Sequence, residues 1–326
     1  MKLFRLGAVL AALALLLTVD AGASGSEMTD ENELMMMVMG GGIEDSADTA
    51  EHGLSISAVA TSALSATRPA AAQSIDVPGA LATRAFGINA VDEIVGSYTN
   101  ATGTYGFLLS QGEFTRIAFP GAVQTEAWGI NPQGDIVGRY RLASDPRTFG
   151  FLLSDGAFTD ISVAGYLHTL PIKISPSGEI VGCIHDVNFL RDMRGYVQRG
   201  DDVSLFEPLP STMHNGVARG GGLIAGISFD SPTLVHGYVL EGSVYTQLDY
   251  PGATFTQAWD VSSTGKVVGY FNPVTSHGFS LDHGAFTQID VPGAGWTRIF
   301  GINPQGEIVG SYADASNVVH GFLMRT

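Results

Sequence analysis

The side chains with the clearest capacity for polar chemistry crowd into one stretch of the chain. His185, Asp186, Asn188, Phe189, Arg191, Asp192 and Arg194 lie within ten positions, and His168, Lys173, His214 and Arg219 flank them. The chain as a whole is acidic, with 16 Lys and Arg against 32 Asp and Glu, so this concentration of bases is local. Arginine offers a planar fork that pairs two oxygens of one carboxylate. His185, Asp186, Arg191, Asp192, Arg194, Lys173 and Arg219 are therefore the predicted binding residues, and an acidic glycan or a protein loop is the predicted partner. The net charge of −16 gives no electrostatic footprint for nucleic acid or an anionic membrane.

Other candidate groups point to structure. His236, His277 and His320 recur at one repeat position, which predicts packing over metal binding. Glu93, Asp135, Glu179 and Glu307 recur before an Ile-Val-Gly segment. One carboxylate per repeat falls short of the roughly six to eight oxygens that calcium needs. Trp128 and Trp259 share a position with Phe86 and Phe300 and are expected in the core. Cys183, the single cysteine, excludes an intrachain disulfide and a Cys-based zinc cluster. No GxSxG, HExxH or P-loop sequence occurs, so no catalytic residue, metal or cofactor is assigned.

The elements that must position these groups are repeats. Glycines of the Ile-Val-Gly marker stand at 96, 138, 182, 226, 269 and 310, spaced by 42, 44, 44, 43 and 41 residues. A Gly-Phe or Gly-Tyr pair recurs at Gly106, Gly150, Gly195, Gly237, Gly278 and Gly321. Pro-Gly-Ala recurs at Pro78, Pro120, Pro251 and Pro292, and Gly-Ile-Asn at Gly87, Gly129 and Gly301. Repeats three and four depart from the last marker, with Lys173-Ile174-Ser175 and Val217-Ala218-Arg219 read in its place.

Each repeat reads as four short strands separated by turn signals such as Asn303-Pro304-Gln305-Gly306 and Ser110-Gln111-Gly112. Four strands at this period predict an all-β fold, a six-bladed β-propeller with four antiparallel strands per blade. The layout resembles a kelch blade without its double glycine. Residues 73–80 match residues 287–294, so an N-terminal strand is expected to complete the last blade and close the ring, removing open sheet edges.

Lys2 and Arg5, the apolar run from Leu6 to Val19 and the triplet Ala21-Gly22-Ala23 predict a signal peptide over residues 1–23, cut after Ala23. Fourteen apolar residues are short against the roughly 20 that span a bilayer. Residues 24–72, acidic and then rich in Ala, Ser and Thr, are expected to be a disordered linker. The domain expected at 73–326 is then secreted or periplasmic.

The repeat wording, Gly-Ile-Asn-x-x-Gly-Glu-Ile-Val-Gly-Ser-Tyr over Gly301 to Tyr312 and His-Gly-Phe-Leu over His320 to Leu323, resembles the bacterial extracellular HAF-repeat family. The resemblance covers about residues 73–326 and implies an extracellular repeat protein, with no catalytic residue to carry over. The functional expectation is a noncatalytic module that binds a protein or glycan through one loop face. The alternative is a polysaccharide hydrolase or lyase on the same scaffold, which requires acids converging on the axis.

Overall fold

The structure, a computed structural model, describes residues 55–57, 71–186, 193–206, 209, 211–231, 233–272 and 274–325. The signal peptide expected at 1–23 and most of the linker expected at 24–72 lie outside the described residues. Within that linker, Ser55–Ser57 is a strand, and Ala72–Ile75 begins the repeat region. Strands dominate the rest, with one short 3-10 turn at Arg219–Gly221. The fold is an all-β propeller.

The expectation of six four-stranded blades is corrected by the hydrogen bonding, which gives five sheets, of eight, five, four, four and four strands. The first two repeats run together into the eight-stranded sheet, because Gly103–Ser110 meets Ala122–Ile130 through a parallel bridge from Thr104 to Gln124. The sheet built on Thr212–Ala218 gains a fifth strand, because Ser55–Ser57 pairs in parallel with the open outer edge of Val244–Leu248. In the last sheet, Ala72–Ile75 pairs antiparallel with Val319–Met324, so the strand that precedes the first repeat shares a sheet with the final strand.

The inner strands are Ala82–Ile88, Ala122–Ile130, His168–Ile174, Thr212–Ala218, Thr256–Val261 and Trp296–Ile302. Each contains a β-bulge against its neighbour, at Ala85/Gly87, Ala127/Gly129, Pro171/Lys173, His214/Gly216, Ala258/Asp260 and Ile299/Gly301. A bulge leaves one residue unpaired and bends its strand. The unpaired residues are Phe86, Trp128, Ile172, Asn215, Trp259 and Phe300.

The bulge explains why Ile-Val-Gly keeps its glycine in every repeat. A Cβ at Gly96 would stand 1.9 Å from the Arg84 carbonyl oxygen, and one at Gly182 would stand 1.9 Å from that of Leu170. The Gly-Phe glycine answers to packing between repeats. A Cβ at Gly150 would meet the Pro171 ring at 2.5 Å, and one at Gly321 would meet the Ala85 nitrogen at 3.3 Å. The last repeat therefore packs against the first. Apolar clusters fill the space between neighbours, such as Ala85, Tyr98 and Phe107 of the first repeat with Val309 and Leu323 of the last. Inner strands end in turns held by side chains: Asn89 Oδ1 accepts from the Val91 and Glu93 amides, and Asn89 Nδ2 donates to Glu93. This is the role of the recurrent carboxylates.

Candidate functional site: the axial cavity

The residue after each bulge is Gly87, Gly129, Lys173, Gly216, Asp260 and Gly301 in chain order. At the four glycines the next inner strand leaves no room. A Cβ on Gly87 would lie 2.8 Å from the Trp128 carbonyl oxygen, and one on Gly216 would lie 2.6 Å from the Asp260 Cα. The two departures are of opposite charge, and their side chains meet. Lys173 Nζ stands 3.3 Å from Asp260 Oδ2 and donates to the Phe86 carbonyl at 2.6 Å, linking the third, fifth and first repeats. Asp260 is further held by backbone amides. Ile302 N–H donates to Oδ2 at 3.1 Å and Val261 N–H donates to Oδ1 at 2.9 Å.

Both groups are buried, Lys173 at 6% and Asp260 at 7% exposure. Burial disfavours charge, so it pulls the Lys173 ammonium below and pushes the Asp260 carboxyl above their ordinary ranges. Their attraction and the two amide donors oppose this.

The pair forms the floor of a cavity of about 110 Å³, on the axis at the end where the inner strands turn back. Ile88, Ile130, Ile174, Val217, Val261 and Ile302 form an apolar collar, one from each repeat. Among the described residues lining it, Asp260 is the one carboxylate. Beside the floor, Phe86 stacks on Trp128 with centroids 4.0 Å apart, Trp128 faces Trp259 at 5.6 Å, and Phe300 meets Trp259 edge-on at 5.0 Å. Rings from four repeats thus meet in the interior, as the sequence reading of Trp128 and Trp259 expects. Asn215 takes the same position in the fourth repeat, and its Nδ2 donates to the Ala258 carbonyl at 3.0 Å.

The predicted binding residues are divided between the two ends of the propeller. Lys173 and Arg219 line the axial cavity. The register shifts the fourth repeat by one, placing Gly216-Val217-Ala218 where Val217-Ala218-Arg219 is read from sequence. Arg219 therefore stands at the rim, where it donates to the Ser263 carbonyl at 2.9 Å and to Glu241 at 2.6 Å. His185, Asp186 and Arg194 lie at the opposite end, because Ile180–His185 runs back from the turn. Asp186 accepts from the Leu167 amide, and Arg194 donates to the Met193 carbonyl. Arg191 and Asp192 lie outside the described residues. The sequence reading does not assign Asp260. Its signal was the residue following Trp259, in the column that holds glycine after Phe86, Trp128 and Phe300.

The recurrent histidines pair with aspartates at the ends of their strands. His236 Nδ1 lies 2.6 Å from Asp249, His277 Nδ1 lies 2.9 Å from Asp290, and His320 Nδ1 lies 2.7 Å from Asp76. No group of three or more His, Cys, Asp or Glu suited to hold a metal occurs among the described residues. Cys183 is buried, and burial pushes its thiol up to about 12, away from nucleophilic use.

Two other histidines make the fold acid-sensitive. His185 stacks on His168 with centroids 4.3 Å apart, and burial pushes its pKa down to about 4. His214 shares a 2.6 Å hydrogen bond with the Tyr238 hydroxyl, and burial pushes it down to about 3. Between the unfolded value of about 6.5 and these values, the unfolded chain binds protons that the folded one excludes. Their stability contribution is present above pH 6.5 and is lost as pH falls, on the order of 3 kcal/mol for each at full loss. His236 acts with the opposite sign, since its hydrogen bond to Asp249 raises it. Its contribution is present below pH 6.5 and lost as pH rises. Urea unfolding at pH 7.5 and 4.5 should show a loss of several kcal/mol, mostly abolished in a His185→Phe, His214→Phe variant. Equal pH dependence in parent and variant would contradict this assignment.

No protein-family model matches the chain, and no curated protein matches it. Solved structures of similar fold include a gluconolactonase of Xanthomonas campestris, with TM-score 0.45, 12% identity, and 76% of this chain and 89% of that chain covered. A lectin of Aleuria aurantia gives TM-score 0.48 and 11% identity, covering 74% and 91%. TolB from Acinetobacter baumannii gives TM-score 0.48 and 12% identity, covering 76% and 65%. These likenesses are too distant to carry a ligand or a reaction over to this chain.

Proposed function

We propose that this chain is a noncatalytic β-propeller binding module of the secreted or periplasmic space, built from HAF-type repeats, that receives a protruding group of a protein or glycan partner in its axial cavity. One observation carries the reading. Where four repeats have glycine, two present a buried lysine and a buried aspartate to one cavity. The cavity volume decides the scale of the ligand. At about 110 Å³ it falls below the roughly 300 Å³ at which pockets for whole drug-sized ligands begin, which fits entry of one functional group.

A glycosidase-type centre requires two carboxyl groups about 5–9.5 Å apart. Asp260 stands alone in the lining and is engaged by Lys173, which favours binding over hydrolysis. The export signal read at residues 1–23 supports the location. Among the described residues no helix is long and apolar enough to cross a membrane.

The test is to probe glycan and peptide arrays with the parent and with a Lys173→Met, Asp260→Leu variant. Ligands retained by the parent should be lost by the variant at matched melting temperature. Undiminished retention by the variant would refute the axial reading. Polysaccharide turnover by the parent that disappears in the variant would replace binding with catalysis.

A further inference from the structure

The chemistry of the cavity floor specifies the group it receives. The Lys173 ammonium has three N–H donors. Phe86 O takes one at 2.6 Å, and the ammonium forms an ion pair with Asp260 Oδ2 at 3.3 Å. At least one further N–H has no hydrogen-bond partner among the described residues. Each oxygen of Asp260 accepts one backbone amide, Val261 N–H on Oδ1 and Ile302 N–H on Oδ2, and Oδ2 also faces Lys173. One acceptor position of Oδ1 is not used by these bonds. The floor therefore keeps a donor on Lys173 and an acceptor on Asp260 beyond its internal bonds, with a net charge of zero and an apolar collar among the lining residues.

An anion would satisfy the lysine and repel the aspartate, within a chain of net charge −16. A cation would do the reverse. A neutral group with an acceptor and a donor on the same edge engages both without carrying a charge into a buried site. The primary carboxamide is that group, since its oxygen and one N–H lie side by side. A secondary amide in its usual trans form points oxygen and N–H in opposite directions and cannot reach both. The N-acetyl group of an amino sugar is thereby disfavoured.

Resting on the axial reading above, we infer that the Lys173–Asp260 floor recognises a primary carboxamide on a small apolar body, its oxygen accepting from Lys173 and its N–H donating to Asp260 Oδ1. A partner would supply this as an asparagine or glutamine side chain, and a free small amide carries the same chemistry. The collar residues Ile88, Ile174 and Val261 would cover the methylene carbons.

The test uses four probes of nearly equal size on the full chain: propionamide, sodium propionate, propylammonium chloride and N-methylpropionamide. Binding is followed by saturation-transfer NMR and calorimetry at millimolar concentration. The parent should bind propionamide at least about tenfold tighter than each of the other three, because a site with fixed donor and acceptor rejects analogues that leave one unpaired. The Lys173→Met, Asp260→Leu variant should lose that preference. Asparagine-containing and glutamine-containing peptides, set against their aspartate and glutamate counterparts, then distinguish a side chain from a free amide. Tighter binding of propionate or propylammonium at the same floor would overturn the carboxamide assignment and leave the axial reading standing. Tighter binding of N-methylpropionamide would overturn the two-point geometry. Binding of none of the four would overturn the carboxamide assignment and count against the axial reading as well.

Discussion

Replacing Gly182 by alanine should destabilise the protein by more than about 3 kcal/mol, or leave no folded protein at 37 °C. The added methyl would sit 1.9 Å from the Leu170 carbonyl oxygen and 3.0 Å from the Pro171 Cα. Both obstacles are backbone, held in place by the bulge between Pro171 and Lys173. No rotamer change relieves the clash, so the strand pair must separate. Gly112 is the contrasting position. It takes a left-handed φ of +85°, and nothing lies within 4 Å of an added Cβ. Gly112→Ala should cost only the left-handed penalty of about 1–2 kcal/mol. Thermal unfolding of the two variants side by side checks this. Similar losses would mean that the bulge does not set the glycine requirement.

This contrast shows what can be read from the sequence. The Ile-Val-Gly and Gly-Phe spacings give the strands, the repeat boundaries and the propeller class, because each glycine answers to a steric demand that every repeat shares. The number of sheets and their strand counts are not carried by those spacings. The bridge from Thr104 to Gln124 fuses two repeats into one sheet and Ser55–Ser57 adds a strand to another, and neither contact has a residue pattern of its own.

The candidate site was half visible. Lys173 stands out as a lysine in a glycine column. Asp260 passes as one acid among many until the bulge register aligns it with the same column. Arg219 reads one position off from sequence, because the fourth repeat carries Asn215 where others carry an aromatic ring or Ile172, and so lacks the usual marker. The grouping of Lys173 and Arg219 with His185, Asp186 and Arg194 followed sequence proximity. Antiparallel strands send neighbours in sequence to opposite ends of the propeller, so that grouping separates in space.

The second large effect comes from the buried pair. Asp260→Leu leaves Lys173 beside the Phe86 carbonyl without a counter-charge, and its ordinary response is to lose its proton or unfold the site. Removing one partner of a buried pair costs about 3–5 kcal/mol. For a chain of this size that is a fall in melting temperature on the order of 10 °C. Lys173→Met leaves Asp260 with its two amide donors, and the loss should be smaller. Replacing both by apolar residues of similar volume removes the desolvation cost along with the attraction, and such replacements are often neutral.

A double-mutant cycle across Lys173 and Asp260, with stability read by urea unfolding at pH 7, measures their coupling directly. If the two side chains form one coupled floor in the axial cavity, the Lys173→Met, Asp260→Leu variant should recover most of the stability lost in Asp260→Leu, giving a coupling energy of about 3 kcal/mol. Additive losses, with a coupling energy within about 0.5 kcal/mol of zero, would show that the two residues do not meet on the axis and would contradict the account.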